Sequence, residues 1–268
     1  ILGIAIGSFL NVCILRIPKE QAITFTRSQC PNCLTTLQPL DLIPLFSYLL
    51  LAGKCRYCKK PIAFRYFLVE LITGLIFVIG AANFEIMQNP LNAIVFIAFS
   101  CVMIIVFFID IDHCIIPDRF SIGLIVAGLL LSFTGFYPLN SEKLYIGLIE
   151  NNYLFFANSL LAVIIAGAIF FVIFWASNKY YAKQGIEAFG FGDVKLAAGI
   201  AAFLGWKLAV FMLFFSFFIG ALISLPFMMI NKKKLKDAMP FAPAICISAI
   251  VTFLVGEHIV LWYWQLYS

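Results

Sequence analysis

Long apolar runs, separated by short breaks that carry charged residues, Pro, Gly or Asn, dominate this chain. A helix needs about 20 mostly apolar residues to cross the hydrocarbon core of a bilayer. The runs lack the apolar and polar alternation of transmembrane strands, so they predict membrane-spanning helices. Eight spans are predicted, at residues 1–17, 63–82, 91–110, 119–136, 153–177, 193–205, 207–230 and 243–266.

Two of these runs are short for a span. Residues 193–205 suffice only for a short crossing, and alternatively they belong to a broken or re-entrant element. The first run begins at Ile1 without a Met and ends near residue 15, so we expect a few residues to precede it in the native protein. It lacks the basic start and the small-residue cleavage site of a secretory signal, which favours a membrane helix.

Composition supports a membrane protein and excludes a soluble globular domain. Of the 268 residues, 63% are hydrophobic and 12% are charged, and the mean hydropathy is +1.04. Such values lie far outside the range of soluble domains. We therefore predict an all-α polytopic protein in a lipid bilayer, with a first helix at 1–17, a polar loop domain at 18–62 and a membrane domain of about seven helices at 63–268.

The basic residues predict the orientation of the chain in the membrane. Four loops and their flanking helix ends, at 18–62, 111–118, 178–192 and 231–242, hold sixteen of the eighteen Lys and Arg residues; Lys143 and Lys207 are the other two. By the positive-inside rule these loops are cytoplasmic and both termini are outside. The net charge of +5 is thus a topology signal, and no nucleic-acid partner is predicted.

Four cysteines in the first polar loop form two pairs, CPNC and CRYC, with 21 residues between the pairs. The members of this set are Cys30, Cys33, Cys55 and Cys58. Four thiolates at this spacing suit a tetrahedral Zn2+ ion, with a thiol redox pair or an iron centre as alternatives. Disulfides are disfavoured in a cytoplasmic loop. Because all four positions are protein ligands, we interpret the zinc as structural.

Three acids follow the third apolar run within nine residues. Asp110 ends a stretch that carries no charged residue from Leu91 onward, and ionised groups near hydrocarbon usually mark function. On a continuous helix Asp112 points about 200° away from Asp110, so we expect Asp112 in the loop or bonded to a neighbouring basic side chain. Asp118 follows Pro117 and is expected to be the N-cap of the next helix.

A second acid in similar surroundings, Asp193, follows the glycines of the segment FGFGD. Gly190 and Gly192 permit positive φ and close approach of another chain, although a flexible turn capped by Asp193 gives the same pattern. Two carboxyl groups brought together share a proton, so one activates water while the other polarises a peptide carbonyl. The pair Asp110 and Asp193 therefore predicts aspartic proteolysis. The sequence contains no G-x-S-x-G or H-E-x-x-H motif.

Five sequence features resemble motifs of the bifunctional leader peptidases of type IV prepilins, members of the G-x-G-D family of membrane aspartic proteases. They are GSFLNVCILRIP at 7–18, the CPNC and CRYC pairs, the segment 43–70, DIDHCIIPD at 110–118 and FGFGDVK at 189–195. The resemblance implies eight transmembrane helices, a cysteine-bearing cytoplasmic loop and the catalytic residues Asp110 and Asp193. Candidates for supporting the site are Asp112, Gly190, Gly192, Lys195 and Glu70.

The resemblance also implies the reaction. Family members in the bacterial inner membrane cleave the basic leader of prepilins and pseudopilins after a glycine, and N-methylate the new terminal residue, typically Phe, from S-adenosylmethionine. The sequence has no glycine-rich nucleotide loop, so methyl transfer rests on the resemblance alone. Ala52 and Phe67 depart from the family pattern near the loop domain. A peptidase without methyl transfer, a transporter with intramembrane acids and a structural subunit stay as alternatives.

Overall fold

The computed structural model describes residues 1–23, 28–84, 90–134, 152–181, 189–231 and 240–265. Within these ranges the chain forms helices and two isolated bridges, and no β-strand. The helices are α1 (Leu2–Arg16), α2 (Phe46–Leu50), α3 (Phe64–Asn83), α4 (Pro90–His113), α5 (Asp118–Phe133), α6 (Asn152–Tyr181), α7 (Phe191–Asn231) and α8 (Ala242–Gln265). Short 3-10 helices lie at Ile17–Lys19 and Pro39–Leu42.

Each predicted span falls on one of these helices, and the all-α membrane fold is confirmed. Five helical segments of the described chain are long and apolar enough to cross a bilayer. They are Leu2–Lys19, Phe64–Asn83, Pro90–His113, Tyr153–Tyr180 and Phe191–Ile223. The helix α5 accounts for the fourth predicted span, and α8 contains a shorter apolar helix at Ala242–Gly256.

The sixth and seventh predicted spans both lie on α7, which is broken at Gly205. This residue has φ 72° and ψ 166°, a conformation that is open to glycine and costly for other residues. The apolar run 193–205 therefore ends at a kink between two helical segments. Of our two interpretations, the structure supports the broken element.

Contacts between residues divide the chain into two compact units, unit 1 (Ile1–Ile105) and unit 2 (Val106–Ser268). In unit 1, α1 packs against α3. The approach is close because Gly7 has no side chain: a Cβ there would lie 2.7 Å from the Cα of Glu70. Small residues let membrane helices approach in this way.

In unit 2, α7 packs against α5, α6 and α8. Residues 196–205 of α7 are all buried, and most of them are alanine or glycine. A Cβ at Gly199 would lie 2.8 Å from the backbone oxygen of Ser121, and one at Gly128 would lie 2.6 Å from the Cβ of Ala202. This tight packing of α5 on α7 fixes the end of α7 that carries Asp193.

Candidate active site and metal centre

Asp110 and Asp193 lie together in the interior of unit 2. Asp110 is in the last turn of α4 and is 4% exposed, and Asp193 is in the first turn of α7 and is 7% exposed. The two carboxyl groups interact electrostatically with each other, and both interact with the buried thiol of Cys246 in α8. Three helices thus bring the two predicted acids into one buried region.

Asp112 has a different environment from Asp110. The helix α4 continues to His113, and the N–H of Cys114 still donates a hydrogen bond of 2.8 Å to the backbone oxygen of Asp110. Our expectation that Asp112 lies in the loop is wrong, because the helix does not end between the two acids. Asp112 is therefore on the exposed face of the last turn, and Asp110 is on the buried face.

The start of α8 holds the carboxylate of Asp110. The backbone N–H of Ala242 donates a hydrogen bond of 3.1 Å to Oδ2 of Asp110. Ala242 is the first residue of α8, whose N-terminal N–H groups have no partners within the helix. Our reading of the sequence missed this contact, and Pro240 and Pro243, which flank the helix start, are the only signal of it.

Asp193 is positioned by the glycine-containing turn before it. Its N–H donates a hydrogen bond of 3.2 Å to the backbone oxygen of Gly190. A Cβ at Gly192 would lie 3.1 Å from the Cβ of Ile116, whereas neither glycine has a positive φ. Close packing therefore explains Gly192, and the left-handed conformation that we considered does not occur. The Oδ1 atom of Asp193 is buried and has no hydrogen-bond partner among the described residues.

Four phenylalanines pack together where the start of α8 meets the Gly190 turn. Phe241 is 5.5 Å from Phe189, 5.5 Å from Phe217 and 6.1 Å from Phe170, measured between ring centroids. Gly220 makes room for this ring, since a Cβ there would lie 2.7 Å from Cε2 of Phe241. We call these four rings the phenylalanine cluster. It joins the segment that holds Asp110 to the segment that precedes Asp193.

Lys195 and Asp118 form an ion pair between α7 and α5. Our prediction that Asp118 is an N-cap is wrong: Pro117 is the N-cap, and Asp118 is the first helical residue. An acid in the first turn still favours the helix dipole, and here it also binds Lys195. The Nζ atom of Lys195 lies 5.4 Å from the centroid of the Phe191 ring. The structure thus gives Lys195 a role in joining two helices.

Glu70 lies in unit 1, where it is 9% exposed. Its Oε2 accepts a hydrogen bond of 2.7 Å from the N–H of Leu45, and its carboxylate also bonds to the side chain of Ser8. In the same unit, the side-chain amide of Asn11 donates to the backbone oxygen of Tyr66 at 3.0 Å. These polar groups join α1, α3 and the loop domain.

The four predicted metal ligands converge at one point of unit 1. The sulfur atoms of Cys30, Cys33, Cys55 and Cys58 lie within 4.8 Å of one another, and Cys30 Sγ is 4.0 Å from Cys58 Sγ. Four sulfurs at about 2.3 Å from a tetrahedral zinc ion are about 3.8 Å apart. The arrangement therefore fits one ion of this size and geometry.

Both C-x2-C segments fold into the same turn. The N–H of Cys30 donates to the backbone oxygen of Thr35 at 3.0 Å, and the N–H of Cys55 donates to that of Lys60 at 2.9 Å. In each turn the residue after the second cysteine has a positive φ, 57° in one and 58° in the other. In each turn an isolated β-bridge joins the residue before the first cysteine to the third residue after the second cysteine. Two equivalent turns thus present two sulfurs each.

Hydrogen bonds within these turns favour the thiolate form at two of the four cysteines, whereas desolvation and the other three thiols raise the pKa of Cys58 to about 11. The hydroxyl and the N–H of Thr35 donate to the sulfur of Cys33 and lower its pKa from 9.0 to about 6. The N–H groups of Cys58 and Tyr57 lower the pKa of Cys55 in the same way. Thiolates are the form of cysteine that coordinates zinc. The donor set and its geometry fit a metal centre.

Comparisons with known proteins agree with this architecture. Residues 1–84 match the bacterial peptidase A24 N-terminal domain, and residues 97–225 match the type IV leader peptidase family. A protein of Bacillus subtilis (strain 168), called prepilin leader peptidase/N-methyltransferase, is 34% identical over 98% of this chain and 95% of its own length. Proteins of the same name from Legionella pneumophila and Pseudomonas aeruginosa are 30% and 29% identical, over 97% and 99% of this chain and 91% and 92% of theirs.

No solved structure matches the chain. The two family models together cover most of its length, and the matched segments include the four cysteines, Asp110 and Asp193. The chain therefore belongs to the type IV leader peptidase family, whose curated members bear the name prepilin leader peptidase/N-methyltransferase.

Proposed function

We propose that this protein cleaves the leader of type IV prepilins or pseudopilins at the cytoplasmic face of the membrane, with Asp110 and Asp193 as its catalytic pair. One observation carries the proposal: two acids from distant parts of the chain share a buried region of unit 2 and interact electrostatically. Buried carboxyl groups without cationic partners are costly, and enzymes retain them for acid and base catalysis.

The hydrogen bonds around the two acids suggest different roles for them. The N–H of Ala242 stabilises negative charge on Oδ2 of Asp110, which suits the carboxylate that takes a proton from water. Asp193 has a buried Oδ1 with no partner among the described residues, which suits a protonated acid that donates to the peptide carbonyl. Water adds to the carbonyl carbon as Asp110 takes one of its protons and Asp193 gives its proton to the carbonyl oxygen. When the peptide bond breaks, Asp110 passes its proton to the leaving amine, and a hydroxyl of the intermediate returns a proton to Asp193 as the carboxyl group of the product forms.

The location of the acids suits a prepilin. Both lie at the ends of predicted membrane helices that face the basic loops, at the predicted cytoplasmic boundary. A prepilin has an apolar helix behind a basic leader, so its scissile bond reaches the same depth when the helix lies in the bilayer. Holding the bond and the water there supplies orientation and charge stabilisation together.

We extend the proposal to zinc in the loop domain. The four cysteine thiolates would hold the ion and close two equivalent turns, and a site with four protein ligands leaves no open position for catalysis. The ion would stabilise a segment too short to fold on a hydrophobic core of its own.

The relatives are named N-methyltransferase, and we extend the proposal to this second activity. The family resemblance makes the new terminal residue its target and S-adenosylmethionine its methyl donor. We assign no residues to this activity, because the sequence has no glycine-rich nucleotide loop like that of soluble methyltransferases. Mass spectrometry of the processed N-terminus tests it directly. Addition of one methyl group that depends on S-adenosylmethionine supports the activity, and an unmodified terminus contradicts it.

The orientation belongs to the same proposal and has its own test. Reporter fusions that are active only outside the cytoplasm are attached to the C-terminus and inserted in the loop 231–242. We expect activity from the terminal fusion alone. The opposite result would put the acids at the wrong face for a cytoplasmic leader.

The experiment that tests the peptidase is incubation of the purified protein in nanodiscs with a full-length prepilin. We expect a shortened pilin whose new terminus follows a glycine. Loss of the leader separates a peptidase from a transporter or a structural subunit, neither of which hydrolyses a peptide bond. An intact prepilin after long incubation with protein of full zinc content would contradict the proposal.

A further inference from the structure

A stretch of unit 1 between the two cysteine pairs exposes many large apolar side chains. We call residues 39–51, which contain the 3-10 helix Pro39–Leu42 and α2, the apolar segment. Its exposed members are Leu40, Leu42, Ile43, Phe46, Leu49 and Leu50, the last being 85% exposed. Soluble surfaces rarely carry so many adjacent apolar side chains, and such patches usually contact another molecule or a membrane.

The apolar segment lies beside the N-terminal end of the membrane helix α3, which is predicted to be cytoplasmic. The ring of Tyr48 in α2 is 6.4 Å from that of Phe64 and 5.4 Å from that of Phe67. The N–H of Leu45 reaches Glu70, which is six residues inside α3 and hence about 9 Å along the helix axis from its start. The segment therefore runs along the first two turns of a membrane span.

The hydrogen bond to Glu70 explains how irregular backbone is accommodated at this depth. Leu45 is the N-cap of α2 and has φ 62° and ψ −51°. Its backbone oxygen accepts a hydrogen bond from the N–H of Leu49, but its own N–H has no acceptor within the helix. Non-helical backbone at membrane depth requires partners from the protein, because lipid tails offer none. The buried carboxylate of Glu70 supplies the acceptor at 2.7 Å. It thereby fixes the turn that leads into α2.

Charge is arranged as in elements that lie in a membrane interface. Four basic residues follow the apolar segment on the second cysteine turn, and all are exposed: Lys54, Arg56, Lys59 and Lys60. Arg56 pairs with Asp41 at 2.6 Å, which ties the 3-10 helix to this turn. The apolar side chains of the segment suit contact with lipid acyl chains, and the basic side chains beside it suit contact with anionic headgroups.

We propose that the apolar segment is a membrane-inserted element, with Phe46, Leu49 and Leu50 in contact with lipid acyl chains at the cytoplasmic interface. The zinc-binding turns on either side then stand at the headgroup level and hold the segment against α3. The inference rests on unit 1 alone and is independent of the peptidase reaction.

The test is photolabelling of the full-length protein in nanodiscs of phosphatidylcholine and phosphatidylglycerol that carry a diazirine in the acyl chain. Adducts are mapped by mass spectrometry. We expect adducts on residues 46–50 and on Leu75 and Val78, which are exposed on α3 and serve as the positive control. Adducts on α3 without any on residues 46–50 would overturn the proposal.

Two variants sharpen the test. Leu50→Asp places a charge at the proposed lipid contact, and we expect adducts on residues 46–50 to be lost while those on α3 stay. Gln21→Asp changes an exposed side chain that precedes the first cysteine turn, and it should leave the labelling unchanged. Equal labelling of the wild type and Leu50→Asp would contradict lipid contact at this residue.

The same samples distinguish lipid from a protein occupant. Hydrogen exchange of residues 39–51 is measured in nanodiscs with and without a prepilin. If the backbone amides of residues 39–51 are already fully protected from exchange without prepilin, the result supports insertion in lipid. Protection that develops only after prepilin is added would make the segment a substrate-docking surface and would overturn the proposal.

Discussion

At the scale of single residues, burial separates acids that the sequence places side by side. Asp110 and Asp112 are two positions apart, yet the continuous helix α4 buries the first and exposes the second. The sequence predicts both members of the buried pair, because an acid at the end of an apolar run is conspicuous. It does not predict the donor of Ala242, since backbone N–H groups carry no residue-specific signal at a distance of 132 positions.

The cysteines allow a prediction at this scale. Cys30→Ser removes one of four thiolates whose sulfurs lie within 4.8 Å of one another, so the purified protein should lose its zinc. Metal content measured against protein concentration checks the loss. Cys114→Ser is the matched control, because Cys114 is an exposed cysteine outside the four-sulfur group. Full zinc content in Cys30→Ser would contradict a site made by four thiolates.

At the scale of elements, glycines decide how closely helices approach. Hydrophobic runs predict where the helices lie, because a bilayer imposes the length of an apolar run that crosses it. The partners of each helix are not encoded in that pattern. The structure shows α7 as the helix on which α5, α6 and α8 converge, and the small residues Gly128 and Gly199 permit it. The break at Gly205 is the exception, because the apolar run 193–205 is too short for a full span and so indicates a broken element.

Gly199→Ala tests this packing. The added methyl would lie 2.8 Å from the backbone of α5, so we expect a loss of about 1–3 kcal/mol in the free energy of unfolding. Thermal unfolding in detergent measures it. Gly123→Ala is the control, because a Cβ at Gly123 meets nothing within 4 Å and alanine raises helix propensity. Equal melting temperatures for the two variants would contradict the account of α5 on α7.

The phenylalanine cluster gives a second prediction at this scale. Phe241→Ala removes the ring that joins the start of α8 to the Gly190 turn, so Asp110 loses a fixed donor and cleavage should slow mainly through kcat. Initial rates of prepilin cleavage over a range of substrate concentrations measure the effect. The control Phe214→Ala changes a ring that is 76% exposed in α7.

If Phe241→Ala cleaves prepilin with the same kcat as Phe214→Ala, the phenylalanine cluster does not position Asp110 for catalysis. The conservative variant Phe241→Leu keeps much of the buried volume and should recover part of the rate. Gly220→Ala crowds the same ring, since its Cβ would lie 2.7 Å from Cε2 of Phe241. Combining it with Phe241→Leu should restore activity that Gly220→Ala alone loses.

At the scale of the whole molecule, the chain combines a membrane fold with a loop domain whose four cysteines could hold a metal ion. Composition and basic residues predict the membrane class and an orientation, because these depend on sums over many residues. The sequence also predicts the metal ligands, since C-x2-C pairs encode their own turn. It gives no sign that residues 39–51 follow α3 to the depth of Glu70, because that contact depends on tertiary packing over 25 positions.

Prepilin cleavage by four purified proteins tests the central claim most directly. The wild type, Asp110→Asn, Asp193→Asn and Asp112→Asn are compared in nanodiscs at equal concentration and zinc content. Asparagine keeps the shape of each side chain and removes the carboxyl chemistry. The account predicts that the wild type and Asp112→Asn remove the leader, whereas both variants of the buried pair leave the prepilin intact. Substantial cleavage by Asp193→Asn, or an inactive Asp112→Asn beside an active Asp110→Asn, would contradict it.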